Sequence, residues 1–127
     1  EAMFMAELED HLLTAGHDLE AIELPVRIDV ARGEERYVRL NGREQTLKAG
    51  DMYIADGQGI LSSILYGPDQ RTQIRPETSQ VLFTTYAPPG IGDHAVRHHL
   101  ETIRDNVHIV TPGGAVVTLA VYTAREA

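Results

Sequence analysis

Two short stretches carry the side chains best suited to chemistry. The first is Gly16-His17-Asp18. A neutral imidazole presented by a turn can position water or bind a carbonyl, and the adjacent carboxylate can orient it. The competing reading is local: His17 and Asp18 hydrogen-bond the backbone of their own turn. The second stretch runs from Asp56 to Arg71. Asp56, Asp69 and Arg71 bracket the glycines at 57, 59 and 67. There they can hold an amino group or a carboxylate, and the arginine fork suits carboxylate or phosphate. Asp before Gly and Asp after Pro are also turn formers in any fold, so turn chemistry accounts for them as well.

Other familiar patterns are weak or missing. His94 and His98 lie four apart, with Glu101 beyond them, a spacing that can bind zinc. No Glu follows the first His as in a zinc-protease motif, and no third ligand is evident, so a solvated helix face is the reading and no metal is assigned. Ser62, Ser63 and Thr84 supply hydroxyls without a Gly-x-Ser-x-Gly elbow. No phosphate loop or dinucleotide fingerprint is present, and no cofactor is implied. The absence of cysteine removes disulfides, thiolate metal sites and thiol nucleophiles.

The elements that must position these groups follow from periodicity. Met5, Leu8, Leu12 and Leu13 predict an amphipathic helix over Met3–Thr14, with Gly16 as its C-cap. Val26, Ile28 and Val30 alternate with Arg27 and Asp29, the period of a half-buried strand. Tyr37–Leu40 and Gln45–Leu47 read as strands around an Asn41-Gly42 turn, a strong hairpin signal because both turn residues tolerate positive φ. Lys48–Asp51 is a turn and Met52–Ala55 a strand. Ile60–Tyr66 is a further strand, ended by Gly67-Pro68-Asp69. Arg71–Ile74 reads as a short extended piece, Pro76-Glu77 as a helical turn, and Val81–Tyr86 as a central strand. Asp93 reads as the N-cap of a helix over His94–Asn106, with Ala95, Val96, His99, Leu100 and Ile103 on its buried side. Val107–Val110 and Ala115–Tyr122 read as a C-terminal hairpin whose strand edges suit association with another copy. Strands dominate with flanking helices, so the fold class is α+β, in one domain over residues 1–127.

Composition narrows the classes. The 127 residues carry a formal charge of −8, with 43% hydrophobic and 24% charged content. Apolar runs are too short for a membrane span, and no leader is visible, so the default location is cytoplasmic and no membrane partner is expected. Arg32, Arg36, Arg39 and Arg43 are evenly spaced but diluted by Glu34, Glu35 and Glu44, which reads as a solvated face rather than a nucleic-acid footprint. DNA is not an expected partner.

Between residues 39 and 86 four devices follow in order: Asn41-Gly42, Lys48-Ala49-Gly50-Asp51, Ile54-Ala55-Asp56-Gly57 and Pro76-Glu77-Thr78. This order resembles the editing module, the third-and-fourth tRNA-binding domain, of the bacterial phenylalanyl-tRNA synthetase beta subunit, and more closely the free-standing proteins built from it. Gly16-His17-Asp18 is similar to the family's Gly-rich turn and His-Ala-Phe-Asp motif, with a shorter His-to-Asp spacing. The resemblance covers about residues 6–86 and implies a partial module, since the family module begins earlier. It implies hydrolysis, or binding, of misacylated aminoacyl-tRNA: tyrosine wrongly attached to the tRNA of phenylalanine. It implies His17 and Asp18 as catalytic groups, and Gly16, Asp56, Gly59, Tyr66, Gly67, Asp69, Arg71, Thr84 and Thr85 as pocket residues. One departure stands out: Thr84 occupies the position of the family's Glu, which contacts the tyrosine hydroxyl. The alternatives are a binding module for a free amino acid or other small molecule without chemistry, and a structural or interaction domain that forms homo-oligomers.

Overall fold

In a computed structural model the chain is described over residues 14–87, 91–110 and 119–120. Its order is β1 (Thr14–Asp18), a 3₁₀ turn (Leu19–Ala21), β2 (Arg27–Val30), β3 (Arg36–Val38), β4 (Glu44–Thr46), β5 (Met52–Ala55), β6 (Ile60–Ser63), β7 (Gly67–Pro68), β8 (Val81–Thr85) and α1 (Asp93–Val110). The class is α+β, as the strand-rich pattern implied. Two compact units divide the molecule: residues 15–84 form one, and the other takes in Thr14 and the described residues from Thr85 onward.

The first unit is built on an antiparallel sheet in the order β2-β5-β6-β7. The turns that make it are those their residues demand. Gly42 and Gly50 hold φ of 80° and 93°, in the left-handed region that a Cβ disfavours. The Asn41-Gly42 turn joins β3 to β4 with Arg36 opposite Thr46 and Val38 opposite Glu44. Asp51 N–H donates to the Lys48 carbonyl at 3.0 Å and closes the second turn. The core gathers Ala31, Tyr37, Leu47, Tyr53, Ala55 and Ile60, with Tyr66 packed against it.

β2 forms where the alternation places it, but neither of its faces is buried: all four of its residues are exposed. Asp29 and Arg27 stand opposite Tyr53 and Ala55, whose side chains enter the core. Ile28 and Val30 lie on the other face and are 61% and 53% exposed. The period marks an apolar face correctly; it does not say what covers it.

Several further expectations change. The helix over Met3–Thr14 lies outside the described residues except for Thr14, which opens β1. Gly16 is therefore mid-strand, not a C-cap, and His17 and Asp18 lie in the same strand. Absence of a side chain at Gly16 serves packing: a Cβ there would lie 2.9 Å from Ile74 Cδ1 and 3.2 Å from Phe83 Cε1. β6 stops at Ser63, and Gly67-Pro68 opens the short strand β7 instead of ending the previous one. Arg71-Thr72 is a turn, not an extended piece, and Pro76-Glu77 is a turn closed by Thr78 N–H to the Arg75 carbonyl at 3.0 Å. Among the described residues β8 pairs with β1 alone.

In the second unit Asp93 is the first helical residue, and the Gly92 carbonyl accepts from Ala95 and Val96. Val96, His99 and Ile103 are buried, Leu100 is half-buried and Ala95 is exposed. The helix continues through Val107–Val110, so those residues are not a strand. The other half of the expected hairpin, Ala115–Tyr122, lies outside the described residues apart from 119–120. Within this unit Thr14 Oγ1 is 2.6 Å from His99 Nε2 and 3.0 Å from Thr85 Oγ1.

Candidate functional site

The buried polar cluster of the first unit grows from two backbone clamps. Asp18 N–H donates to the Thr72 carbonyl at 2.8 Å, and Leu19 N–H to the Gln80 carbonyl at 2.9 Å. The first locks the end of β1 against the 69–72 turn, and the second ties Leu19 to the residue before β8. That turn is in turn fixed to the sheet: Asp69 N–H donates to the Leu61 carbonyl at 2.7 Å, and Asp69 forms a bridge with Arg39. His17, Asp69 and Thr72 are thereby enclosed, at 0%, 3% and 0% exposure.

A hydrogen-bond chain links them. The Thr72 hydroxyl donates to Asp69 Oδ1 in a short contact, and Thr72 N–H reaches the same oxygen at 3.3 Å. Since that hydroxyl proton is committed to the carboxylate, Thr72 Oγ1 accepts from His17 Nδ1 at 2.8 Å. The proton of a neutral His17 therefore sits on Nδ1, and Nε2 is an acceptor. Nε2 is buried and has no hydrogen-bond partner among the described residues. Burial, reinforced by the nearby Arg71 cation and opposed by Asp56, holds the imidazole down at about 4 from an ordinary 6.5. It is neutral at physiological pH.

Asp56 and Arg71 are committed elsewhere. Asp56 accepts from Glu23 N–H at 2.9 Å, Gln58 N–H at 2.9 Å, Gly59 N–H at 3.0 Å and Arg71 Nη2 at 2.7 Å. Burial disfavours its ionised form, but these four donors outweigh burial and keep the carboxyl below its usual range. Three of these donors converge on Oδ1 and the fourth holds Oδ2, so both oxygens are engaged. Arg71 also donates to the Ala21 carbonyl at 3.0 Å and lies 4.0 Å from Asp69 Oδ2. Neither group is an open fork for a substrate. Burial pushes the Asp69 carboxyl up, against its Thr72 bonds and Arg71.

Residues 5–106 match the model of the B3/4 domain family. The chain belongs to the B3/4 domain family. It is 31% identical over 101 residues to the phenylalanine–tRNA ligase beta subunit of Anaeromyxobacter dehalogenans (strain 2CP-C), a match covering 72% of this chain and 12% of that protein. Its fold is similar to the crystal structure of an N-terminal fragment of the phenylalanyl-tRNA synthetase beta-subunit from Pyrococcus horikoshii, with a TM-score of 0.64 and 18% identity, over 76% of this chain and 33% of that one. The chain thus spans far less than two thirds of either relative.

Within this B3/4 domain the residues singled out by sequence divide into groups. His17, Asp56, Asp69 and Arg71 come together, with Gly59 holding Asp56 through its N–H. Thr72, which the sequence reading missed, is the link between His17 and Asp69. The only signal for it was the Asp69-x-x-Thr72 spacing of a side-chain-capped turn. Asp18 is turned to local work: its Oδ1 caps the 3₁₀ turn through Glu20 N–H at 3.0 Å, and its Oδ2 accepts from the Thr78 hydroxyl at 3.1 Å. Gly16 packs beside Ile74 and Phe83.

Tyr66 and Gly67 belong to a second cluster. The Arg39 guanidinium lies 5.8 Å above the Tyr66 ring and donates to its carbonyl at 3.1 Å, while the Tyr37 hydroxyl donates to the Gly67 carbonyl at 2.6 Å. The Thr84 hydroxyl is 3.5 Å from the Ala15 carbonyl, and Thr85 meets Thr14. An open surface depression lies away from His17, against Asp29, Val30, Arg32, Glu34, Glu35 and Tyr53. Its walls hold three acids and one arginine but no histidine.

Proposed function

We propose that this B3/4 domain is an editing module that binds misacylated aminoacyl-tRNA and hydrolyses its ester. One observation carries the reading. His17 Nε2 is a buried acceptor whose tautomer is set through Thr72 by Asp69, and it is the atom of the cluster left without a partner among the described residues. The similarity to a phenylalanine–tRNA ligase beta subunit supports an aminoacyl ester as the substrate class.

In this reading His17 accepts a hydrogen bond from the attacking water or from the ammonium of the aminoacyl group. An imidazole held near 4 is a poor proton sink at neutral pH, so its contribution is orientation more than base strength. An activated ester needs no stronger catalyst to be hydrolysed slowly. The Asp69–Thr72 pair fixes the ring and keeps the Nε2 lone pair available. The same low basicity favours a second reading, in which the site binds an amino acid and does no chemistry.

The test is ester loss from tRNA of phenylalanine mischarged with tyrosine, with the wild-type chain, His17→Ala and Thr72→Val. Editing requires ester loss that falls at least about tenfold in His17→Ala and several-fold in Thr72→Val, within the range of a single positioned group. No ester loss by the folded wild-type chain sinks the hydrolytic reading. Calorimetric titration with free tyrosine and phenylalanine then decides for or against the binding module.

A further inference from the structure

The open edge of β2 is self-complementary. Ala31 N–H donates to the Asp51 carbonyl at 2.7 Å, and Gly50 N–H to the Ala31 carbonyl at 2.8 Å, so residue 31 turns its backbone groups toward β5. The alternation of an antiparallel pair then sends those of Asp29 and Arg27 toward β5, and those of Val30, Ile28 and Val26 outward. Among the described residues nothing pairs with that outer edge. All four residues of β2 are exposed, and Ile28 and Val30, with Val26 just before the strand, are exposed apolar side chains in alternation. Such an edge is a template for another strand.

We infer that β2 pairs antiparallel with β2 of a second copy of this chain, in the register that sets Ile28 opposite Ile28. Three features of the strand select this partner and register. The outward backbone groups at 26, 28 and 30 then meet those at 30, 28 and 26 of the second copy, which is a hydrogen-bonding set. Val26 lies across from Val30 and Ile28 from its own copy, so apolar side chains meet. Arg27 falls opposite Asp29 of the second copy, twice per dimer, at the non-hydrogen-bonded positions where side chains approach most closely. Sliding the pair to the adjacent registers that keep the backbone pattern sets Arg27 against Arg27 or Asp29 against Asp29. Like charges directly opposite are destabilising, so charge alone rejects both neighbours. An unrelated peptide has no such built-in complement.

The association is weak and concentration-dependent, because one short strand edge buries less than the surface of a standard interface. It also has a local competitor. In the single chain Asp29 Oδ1 accepts from Val30 N–H at 2.8 Å, closing one outward donor. Pairing transfers that donor to the Val26 carbonyl of the second copy and releases the Asp29 carboxylate for Arg27.

Sedimentation equilibrium of the 127-residue chain over rising concentration tests this. The wild-type chain is expected to dimerise. Asp29→Arg sets two arginine pairs face to face and should weaken the dimer about tenfold, as should Arg27→Asp. The swap Arg27→Asp/Asp29→Arg restores opposite charges and should return most of the affinity. Arg27 also donates to the Asp56 carbonyl at 3.3 Å, so Asp29→Arg is the cleaner single variant, with circular dichroism to confirm its fold. Since the chain has no cysteine, Ile28→Cys reports the register by itself: oxidation at dimer-forming concentration should give a disulfide-linked dimer. A wild-type chain that stays monomeric to about 1 mM, well past the range of specific association, overturns the proposal. So does a dimer indifferent to the single charge changes, one the double swap fails to restore, or one that leaves Ile28→Cys unlinked.

Discussion

At the scale of the residue, the site is decided by which polar atoms are already satisfied. Asp56 has four donors and Arg71 three nearby oxygens, while His17 Nε2 is left over. The burial that encloses His17 also gives it an effect on stability. Its folded value near 4 lies below the unfolded 6.5, so between those values the unfolded chain binds more protons. Stability then rises with pH across the window, is complete above about 6.5, and is lost as pH falls toward 4. The full difference amounts to about 3 kcal/mol. Asp69 acts in the opposite direction at the acid end, since its raised value favours the folded state as it protonates. Asp56, held low, gives up its contribution only below the window. His17→Gln should therefore flatten the dependence of urea-unfolding free energy on pH between 6.5 and 4. Equal slopes for the two proteins would mean that His17 takes up its proton without unfolding the chain.

At the scale of the element, turn chemistry was legible and coverage was not. Asn41-Gly42 and Lys48–Asp51 could be read because positive φ is a demand on single residues. Gly42→Ala should accordingly cost about 1 kcal/mol in urea unfolding at unchanged m, because φ of 80° carries a left-handed penalty while the nearest side-chain atom, Gln70 Nε2, sits at an ordinary 3.6 Å. A loss of only a few tenths would mean the turn relaxes to another type. The exposure of β2 could not be read, since period fixes which residues share a face but not whether anything covers it. Helix α1 shows a missed continuation. Val96, His99 and Ile103 lead to Val107 at helical spacing, and the β-branched Val107-His108-Ile109-Val110 stays helical because it extends an established helix. The site was half legible: its charged residues announce themselves, whereas Thr72 became a link only when β1 was clamped to the 69–72 turn, a contact between segments distant in sequence.

At the scale of the whole molecule, the charge of −8 would constrain how the proposed RNA substrate is met. The evenly spaced arginines make no basic stripe in the fold. Arg36 stands 3.5 Å from Glu44, and Arg39 is drawn onto Tyr66. Backbone donors from Arg32 to Glu34 gather on the Glu35 carboxylate and keep it well ionised, adding an anion beside those arginines. Affinity from phosphate neutralisation appears as a steep fall of binding with salt, roughly in proportion to the number of phosphates contacted. If this B3/4 domain acts on aminoacyl-tRNA, it must read the acylated end and little of the backbone. Fluorescence anisotropy of labelled tRNA with the 127-residue chain should then show weak binding, with a log–log salt slope shallower than about −2. Ester hydrolysis should be comparably insensitive to salt. A slope steeper than about −4 would require several neutralised phosphates, and hence a basic footprint that the sequence and the described surface do not provide.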